Sequence, residues 1–229
     1  MIRVHGITLR PDEDESSLPG VCARVLGIPA GRILAAAVRR KSVDARDRND
    51  VRLVFSVDLG LAPEDESRVL AGRGGRGVKI EAAPEEAPYR PAVPAWHPGT
   101  GGKRVVVAGS GPAGLFAALL LARAGARPLV VERGRPVEER ERDVEEFAGR
   151  GVLDPESNVQ FGEGGAGTFS DGKLSTNIRD PRCRTVLAEF AAAGAPPEIL
   201  YQAKPHIGTD RLKTVAAGQI GRASCRERV

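Results

Sequence analysis

One stretch decides the fold: Arg104-Val-Val-Val-Ala-Gly-Ser-Gly-Pro-Ala-Gly114, followed by the apolar run Leu115–Ala124. Its first residues, Arg104–Ala108, have the composition of a short strand buried in a parallel sheet. A glycine-rich turn and a predicted helix follow, Gly125 ends that helix, and Pro128–Glu132 is a second apolar strand. A strand, glycine turn, helix and strand within about thirty residues predict the first βαβ unit of a doubly wound, Rossmann-type α/β domain.

The glycine turn has the spacing of a dinucleotide-binding fingerprint. Gly109 permits the tight turn, Gly111 lets the backbone approach a diphosphate, and Gly114 lets the helix pack closely on the strands. The helix N-terminus offers free N–H groups and a partial positive charge to phosphate. The predicted cofactor-binding residues at this turn are therefore Gly109, Gly111, Pro112, Ala113 and Gly114.

The end of the second strand supplies the next candidates. Glu132 is placed to accept hydrogen bonds from an adenosine ribose, and its charge disfavours a 2′-phosphate there. Arg133 either stacks on the adenine or is solvated. NAD and FAD both bind to this kind of fold, so the fingerprint does not choose between them.

A second glycine-rich segment lies downstream, Asn158-Val-Gln-Phe-Gly-Glu-Gly-Gly-Ala-Gly-Thr-Phe-Ser-Asp-Gly-Lys-Leu174. Such a loop exposes backbone amides that can point at phosphate or at an electron-rich ring, although a flexible surface loop has the same composition. The charged run Glu138–Glu146 before it is interpreted as a solvated helix face with local ion pairs. The predicted binding residues of the loop are Gly164, Gly165, Ala166, Gly167 and Thr168.

A smaller module precedes the fingerprint. Residues 1–83 show a strand with a register slip at Gly6, an amphipathic helix, and two further strands over roughly 33–41 and 51–59. This βαββ order predicts a small α+β domain of the ferredoxin-like, split-βαβ kind. Residues 84–102 are proline-rich and predict an extended linker, with a proline-rich recognition ligand as the alternative.

Composition excludes several classes of protein. The chain has 229 residues, of which 41% are hydrophobic, so it can form a packed core. Three cysteines without paired spacing argue against a metal site and a disulfide framework. No secretory signal opens the chain and no apolar run approaches the ~20 residues of a membrane span, so we expect a cytoplasmic protein. A net charge of +4 with mixed signs, and few aromatics, argue against nucleic acid as a partner.

The long motifs resemble those of the uncharacterised bacterial FAD-dependent dehydrogenase family, a group of NAD(P)/FAD-dependent oxidoreductases. Besides Asn158–Leu174, they are Val131-Glu-Arg-Gly134, Lys204-Pro-His-Ile-Gly-Thr-Asp210 and, in the first module, Lys41-Ser-Val-Asp-Ala-Arg46. The resemblance implies a flavoprotein oxidoreductase that binds FAD at the fingerprint and Glu132, with the loop 164–168 near the flavin or its diphosphate. It names no small-molecule substrate.

Catalytic residues are not evident from the sequence. His206 can act near neutral pH as a general acid or base, but no partner for it is identifiable, and Lys173 could neutralise a flavin anion. NAD(P)H is a candidate electron donor. The open alternatives are an NAD(P)-linked enzyme without flavin, and a non-catalytic nucleotide-binding module whose N-terminal domain docks a partner or nucleic acid.

The C-terminal residues depart from the family pattern. A back-translation of Ile220–Val229 resembles a widely used sequencing adapter, which predicts a truncated reading frame with about ten foreign residues; a natural basic tail is the alternative. Residues 103–219 would then be the N-terminal part of the FAD-binding domain. With one βαβ unit in this chain, we expect an inactive fragment with weak or absent FAD affinity.

Overall fold

The computed structural model describes residues 1–72, 78–84, 89, 92, 95–97, 104–178 and 180–223. The chain is mixed α/β and divides into two compact units: Met1–Ala87 with Leu200–Pro205, and Pro88–Ile199 with His206–Val229. Most of the predicted linker 84–102, and residues 224–229 of the predicted tail, lie outside the described residues. The predicted domain boundaries therefore stay predictions.

The first unit contains a four-stranded antiparallel sheet and two helices. In chain order they are β1 (Ile2–Leu9), α1 (Leu18–Leu26), β2 (Ala35–Asp44), β3 (Arg52–Gly60), α2 (Pro63–Ala71) and β4 (Ile80–Ala82). The strands lie in the order β2-β3-β1-β4. The predicted βαββ series is present, and α2 and β4 are additions that sequence reasoning missed. Helix α2 is rich in acidic residues and β4 is three residues long, so neither gives a strong apolar pattern.

Alternating apolar residues of β1 and β3 form the core of this unit. Ile2, Val4, Ile7 and Leu9 are all buried, although the even and odd positions of one strand point to opposite faces. A bulge between His5 and Ile7, with Gly6 in the left-handed region at φ 76°, shifts the register and returns the later residues to the core face. The predicted register slip at Gly6 is confirmed.

A buried carboxylate joins three strands of this sheet. Asp58 of β3 is 2% exposed and accepts hydrogen bonds from Nε of Arg3 in β1 and Nε of Arg39 in β2, each at 2.7 Å. Burial alone would raise the pKa of Asp58, but the two guanidinium groups outweigh it and hold the pKa below its ordinary value. The carboxylate is therefore ionised in the folded unit at neutral pH.

The second unit contains a parallel βαβ element and three further helices. In chain order they are β5 (Val106–Ala108), α3 (Pro112–Arg123), β6 (Leu129–Val131), α4 (Val137–Arg150), α5 (Arg182–Ala192) and α6 (Thr209–Ala223). β5 and β6 pair in parallel from Val106↔Leu129 to Ala108↔Val131, and α3 connects them. This arrangement fits the start of a Rossmann-like domain.

Other helices support the βαβ element. α6 packs against α3, and the three-residue-per-turn helix Ala166–Phe169 packs against α6. In the described part of the chain, no helix combines the length and the apolar character that a membrane crossing requires.

We predict that Asp58→Asn destabilises the first unit by about 2 kcal/mol at neutral pH, because two guanidinium groups lose their buried anion. Since folding lowers the pKa of Asp58, its contribution is present above the unfolded-state pKa of about 4 and is lost as pH falls through the lower folded value. Urea unfolding followed by circular dichroism should show the difference at neutral pH and a smaller one at acid pH.

Asp50→Asn is the matched control, since Asp50 is 54% exposed in its pair with Arg52 and contributes little. Equal effects of the two substitutions at neutral pH would contradict the importance of the buried carboxylate.

Candidate functional site

The glycine turn between β5 and α3 is tightly packed on its inner side. Gly109 has φ 94°, and its N–H donates to the carbonyl oxygen of Val131 at 2.7 Å, which ties the ends of the two strands together. An added Cβ at Gly114 would lie 2.0 Å from the carbonyl oxygen of Gly109 and 3.0 Å from its carbonyl carbon. Glycine at position 114 is therefore required for the helix to approach the strand.

The outer side of the turn is open. Gly111 has an ordinary extended backbone, with φ −69° and ψ 179°, and an added Cβ would meet no atom within 4 Å. The packing of the described chain therefore gives no reason for glycine at this position. Space for an approaching ligand backbone or phosphate gives one, so the residues fit a dinucleotide diphosphate here.

The N-terminus of α3 faces this open side without a protein cap. Gly111 is the N-cap residue, Pro112 begins the helix, and within the described residues no side chain caps this terminus. The first-turn N–H groups, those of Ala113 and Gly114, have no carbonyl partner inside a regular helix. They are suited to an anion, which the helix dipole also favours.

Glu132 links the end of β6 to the glycine turn. Its Oε2 accepts hydrogen bonds from the N–H and the hydroxyl of Ser110 at 2.7 and 2.9 Å, and its Oε1 accepts from the N–H of Gly134 at 2.9 Å. Burial would raise the pKa of Glu132, but these donors outweigh it and hold the pKa below its ordinary value. The backbone N–H of Arg133 is a fourth donor that lowers the pKa of this carboxylate, so a ribose hydroxyl that binds Glu132 would share the two oxygens with four protein donors.

Arg133 lies on the protein surface beside an aromatic ring. Its guanidinium donates to both carboxylate oxygens of Glu156, at 3.1 and 3.2 Å, and lies 4.7 Å from the ring centroid of Phe161. The side chain is 68% exposed. In this structure Arg133 thus stacks on a ring of the protein itself, and its predicted adenine contact is untested.

The second glycine loop lies against the first. The N–H of Gly164 donates to the carbonyl oxygen of Ser110 at 3.0 Å, and an added Cβ at Gly165 would lie 3.3 Å from Gly111 and from Pro112. Gly164 and Gly165 both have positive φ, at 81° and 73°. The structure therefore brings the two predicted glycine segments together, although they are some fifty positions apart in the sequence.

The remaining predicted loop residues differ in exposure. Ala166 and Gly167 are exposed, whereas Thr168 is buried and its hydroxyl donates to the carbonyl oxygen of Glu163 at 3.2 Å. An added Cβ at Gly164 would lie 2.2 Å from the Thr168 hydroxyl oxygen. Thr168 therefore closes the loop on itself, while Ala166 and Gly167 are accessible to a ligand.

Sequence reasoning missed the residue that holds this loop. The interpretation of Glu138–Glu146 as a solvated face is wrong at Arg140, which is fully buried and donates to the carbonyl oxygen of Glu163 at 2.6 Å. The carboxylate of Glu163 in turn accepts from the N–H of Val137 at 2.7 Å, at the start of α4. The sequence contains one signal for this. Arg140 lies three residues after Val137, and residues three apart share a helix face, so Arg140 lies on the apolar side of an otherwise polar helix.

The two weak catalytic candidates lie together. Lys173 and His206 form an isolated antiparallel bridge, and the N–H of Ile207 donates to the carbonyl oxygen of Gly172 at 3.0 Å. Lys173 is 73% exposed and pairs with Asp171 at 2.7 Å, which raises the pKa of Lys173 above its ordinary value. His206 is exposed as well. Within the described residues, no hydrogen bond or ion pair joins either side chain to the glycine turn.

Taken together, the turn, Glu132 and the second loop offer backbone amides, a helix N-terminus and one ionised carboxylate. Such a set can bind phosphate oxygens and sugar hydroxyls, but it contains no redox-active group. Redox chemistry at this site would have to come from a bound cofactor.

Two family models match this chain. Residues 103–143 match a family described as an FAD binding domain, which covers the glycine turn, α3, β6 and the start of α4. Residues 1–60, most of the first unit, match a domain of unknown function (DUF8436). The first match indicates that FAD is the cofactor.

A longer bacterial protein is similar to nearly the whole chain. An uncharacterized protein of Clostridium beijerinckii (strain ATCC 51743 / NCIMB 8052) is 43% identical over 214 residues, which are 93% of this chain and 39% of that protein. The chain thus spans about two fifths of the length of this relative. Together the matches support an FAD-dependent oxidoreductase-like family, and they do not favour a non-catalytic nucleotide-binding module.

Proposed function

We propose that the second unit binds the adenosine diphosphate half of FAD at the turn Gly109–Gly114, as the cofactor-binding part of an FAD-dependent dehydrogenase. The observation that carries this proposal is the contrast between Gly111 and Gly114. Glycine at 114 is required by the chain's own packing, whereas glycine at 111 faces open space. A diphosphate against the α3 N-terminus accounts for Gly111 and for the uncapped helix.

The other residues have distinct proposed roles. Ionised Glu132 accepts hydrogen bonds from the adenosine ribose, while Ser110 and Gly134 hold its carboxylate in place. The exposed loop residues Ala166 and Gly167 contribute backbone amides to the diphosphate or to the flavin. The chain therefore binds and orients the cofactor through its backbone more than through side chains.

The reaction itself is proposed for the whole protein. Bound FAD would supply the acceptor or donor of a hydride or an electron pair exchanged with a small-molecule substrate, with NAD(P)H as a candidate electron donor. His206 and Lys173 stay candidates for moving a proton or balancing charge, because an isolated backbone bridge holds the two residues near each other. Among the residues that the structure describes, neither side chain has a contact that assigns it to catalysis.

We predict that Gly111→Ala and Gly114→Ala separate binding from folding. Gly111→Ala should leave the thermal midpoint unchanged, because its Cβ meets open space, but weaken FAD binding at least about tenfold by displacing the diphosphate. Gly114→Ala should destabilise the second unit by at least about 2 kcal/mol, because its Cβ overlaps the carbonyl group of Gly109.

Equilibrium dialysis measures the FAD affinity of each variant. The FAD concentrations should cover a range wide enough for the weak affinity expected of this chain. Differential scanning calorimetry measures the thermal midpoint and the loss of stability. Unchanged FAD binding in a folded Gly111→Ala variant would show that the diphosphate does not lie at this turn.

We also predict that Glu132→Gln weakens FAD binding about tenfold, because an amide accepts hydrogen bonds less strongly than a carboxylate. Since the pKa of Glu132 is held below its ordinary value, wild-type binding should not vary with Glu132 ionisation between about pH 6 and 8. The same dialysis assay measures both effects.

Glu156→Gln provides the control, as Glu156 is an exposed acid that pairs with Arg133 on the surface. If both substitutions leave FAD affinity at the wild-type value, the ribose contact of Glu132 is wrong.

A further inference from the structure

Arg140 is a fully buried cation whose hydrogen bonds go to backbone carbonyl oxygens. One terminal nitrogen donates to Glu163 at 2.6 Å, and both terminal nitrogens reach the carbonyl oxygen of Gly165 at 3.3 Å. Nε and Nη2 reach the carbonyl oxygen of Asn158 at 3.3 and 3.2 Å, and Nη2 also reaches that of Val159 at 3.4 Å. One side chain in α4 therefore binds the second glycine loop at four carbonyl groups.

Those bonds determine which way the loop amides face. In a trans peptide the carbonyl group of one residue and the N–H of the next point in opposite directions. Because the carbonyl groups of Glu163 and Gly165 point at Arg140, the N–H groups of Gly164 and Ala166 point away from it. That of Gly164 donates to the carbonyl oxygen of Ser110 in the fingerprint turn, as this geometry requires.

Arg140 also packs against the ring of Phe169 and against Gly162, in addition to its hydrogen bonds to the loop. The guanidinium of Arg140 lies 4.8 Å from the centroid of the Phe169 ring, at the end of the short helix Ala166–Phe169. An added Cβ at Gly162 would lie 2.5 Å from Cδ of Arg140. The contacts of this one side chain therefore extend from Asn158 to Phe169 of the loop.

The charge of Arg140 is close to the open turn. The carbonyl oxygen of Gly165 accepts hydrogen bonds from Arg140, and a Cβ added at Gly165 would lie 3.3 Å from both Gly111 and Pro112. Backbone carbonyls carry no formal charge, and the negative charges that act on Arg140 are those of Glu132 and Glu163. Burial lowers the pKa of Arg140, and these two carboxylates oppose that effect. Arg140 thus offsets part of the negative charge of these two carboxylates, and so lowers the repulsion that they would exert on a diphosphate at the turn.

We propose, on the basis of the FAD site above, that Arg140 is the positioning residue for the cofactor diphosphate. It acts through the second glycine loop, whose Gly164 N–H it directs to Ser110 of the fingerprint turn and whose Ala166 N–H it directs away from itself, and through its buried positive charge. Both effects concern the diphosphate more than the adenosine, because Ser110 and Gly134 bind the carboxylate of Glu132, the proposed ribose acceptor. Arg140 therefore determines affinity for the anionic part of the ligand.

The test compares ADP with adenosine as probes of the full 229-residue chain, by calorimetry or NMR titration. Arg140→Met removes the charge and the donors, and Arg140→Lys keeps the charge without the planar set of donors. We expect Arg140→Met to weaken ADP and FAD binding at least about tenfold while adenosine binding changes less than about twofold. Arg140→Lys should give an intermediate ADP affinity and the same adenosine affinity.

Arg142→Met is the matched control, since it removes the same charge from an exposed position of the same helix and should bind ADP as the wild type does. Wild-type ADP affinity in a folded Arg140 variant would overturn the proposal. An equal loss of ADP and adenosine binding, or a failure of both variants to fold, would also overturn it by showing a role in folding alone. If the wild type binds neither FAD nor ADP, the proposed function itself fails, whatever the variants do.

Discussion

The second unit depends on a backbone contact that has no room for a methyl group. Where α3 passes over the end of β5, a side chain at Gly114 would overlap the carbonyl group of Gly109. That close approach places the N-terminus of α3 beside the ends of two parallel strands. This close approach determines three further features: the open side of the turn, the position of Glu132, and the surface on which the second glycine loop lies. Backbone geometry, more than side-chain chemistry, makes this region suitable for a diphosphate.

A second layer of order comes from a buried charge. The glycine loop has few apolar side chains of its own, and its glycines, four of which have positive φ, leave an unsupported chain free to adopt many conformations. Arg140 compensates for this freedom by binding several carbonyl groups at once, and Glu163 connects the loop to the start of α4. These contacts hold a flexible sequence in one conformation, and the Gly164–Ser110 hydrogen bond links the loop to the fingerprint turn.

Local patterns in the sequence predicted the local structure. The strand, glycine turn, helix and strand follow from spacing alone, and the bulge at Gly6 follows from a break in alternation. Helix α2 and strand β4 were missed because one is mainly charged and the other is very short. The role of Arg140 could not be predicted, because its partners lie 18 to 25 positions further along the chain and are carbonyl groups, which every residue has. The family match then selected FAD, a choice that the fingerprint had left open.

The most direct measurement of the central claim is an amide NMR titration of the chain with FAD. If the diphosphate binds at the fingerprint turn, the largest shifts should appear at Gly111, Ala113 and Gly114, with a second group at Gly164 and Ala166. The first unit, which shares none of these residues, should show small shifts at most. Saturable FAD binding with its largest shifts in the first unit, and none at the glycine turn, would contradict the account.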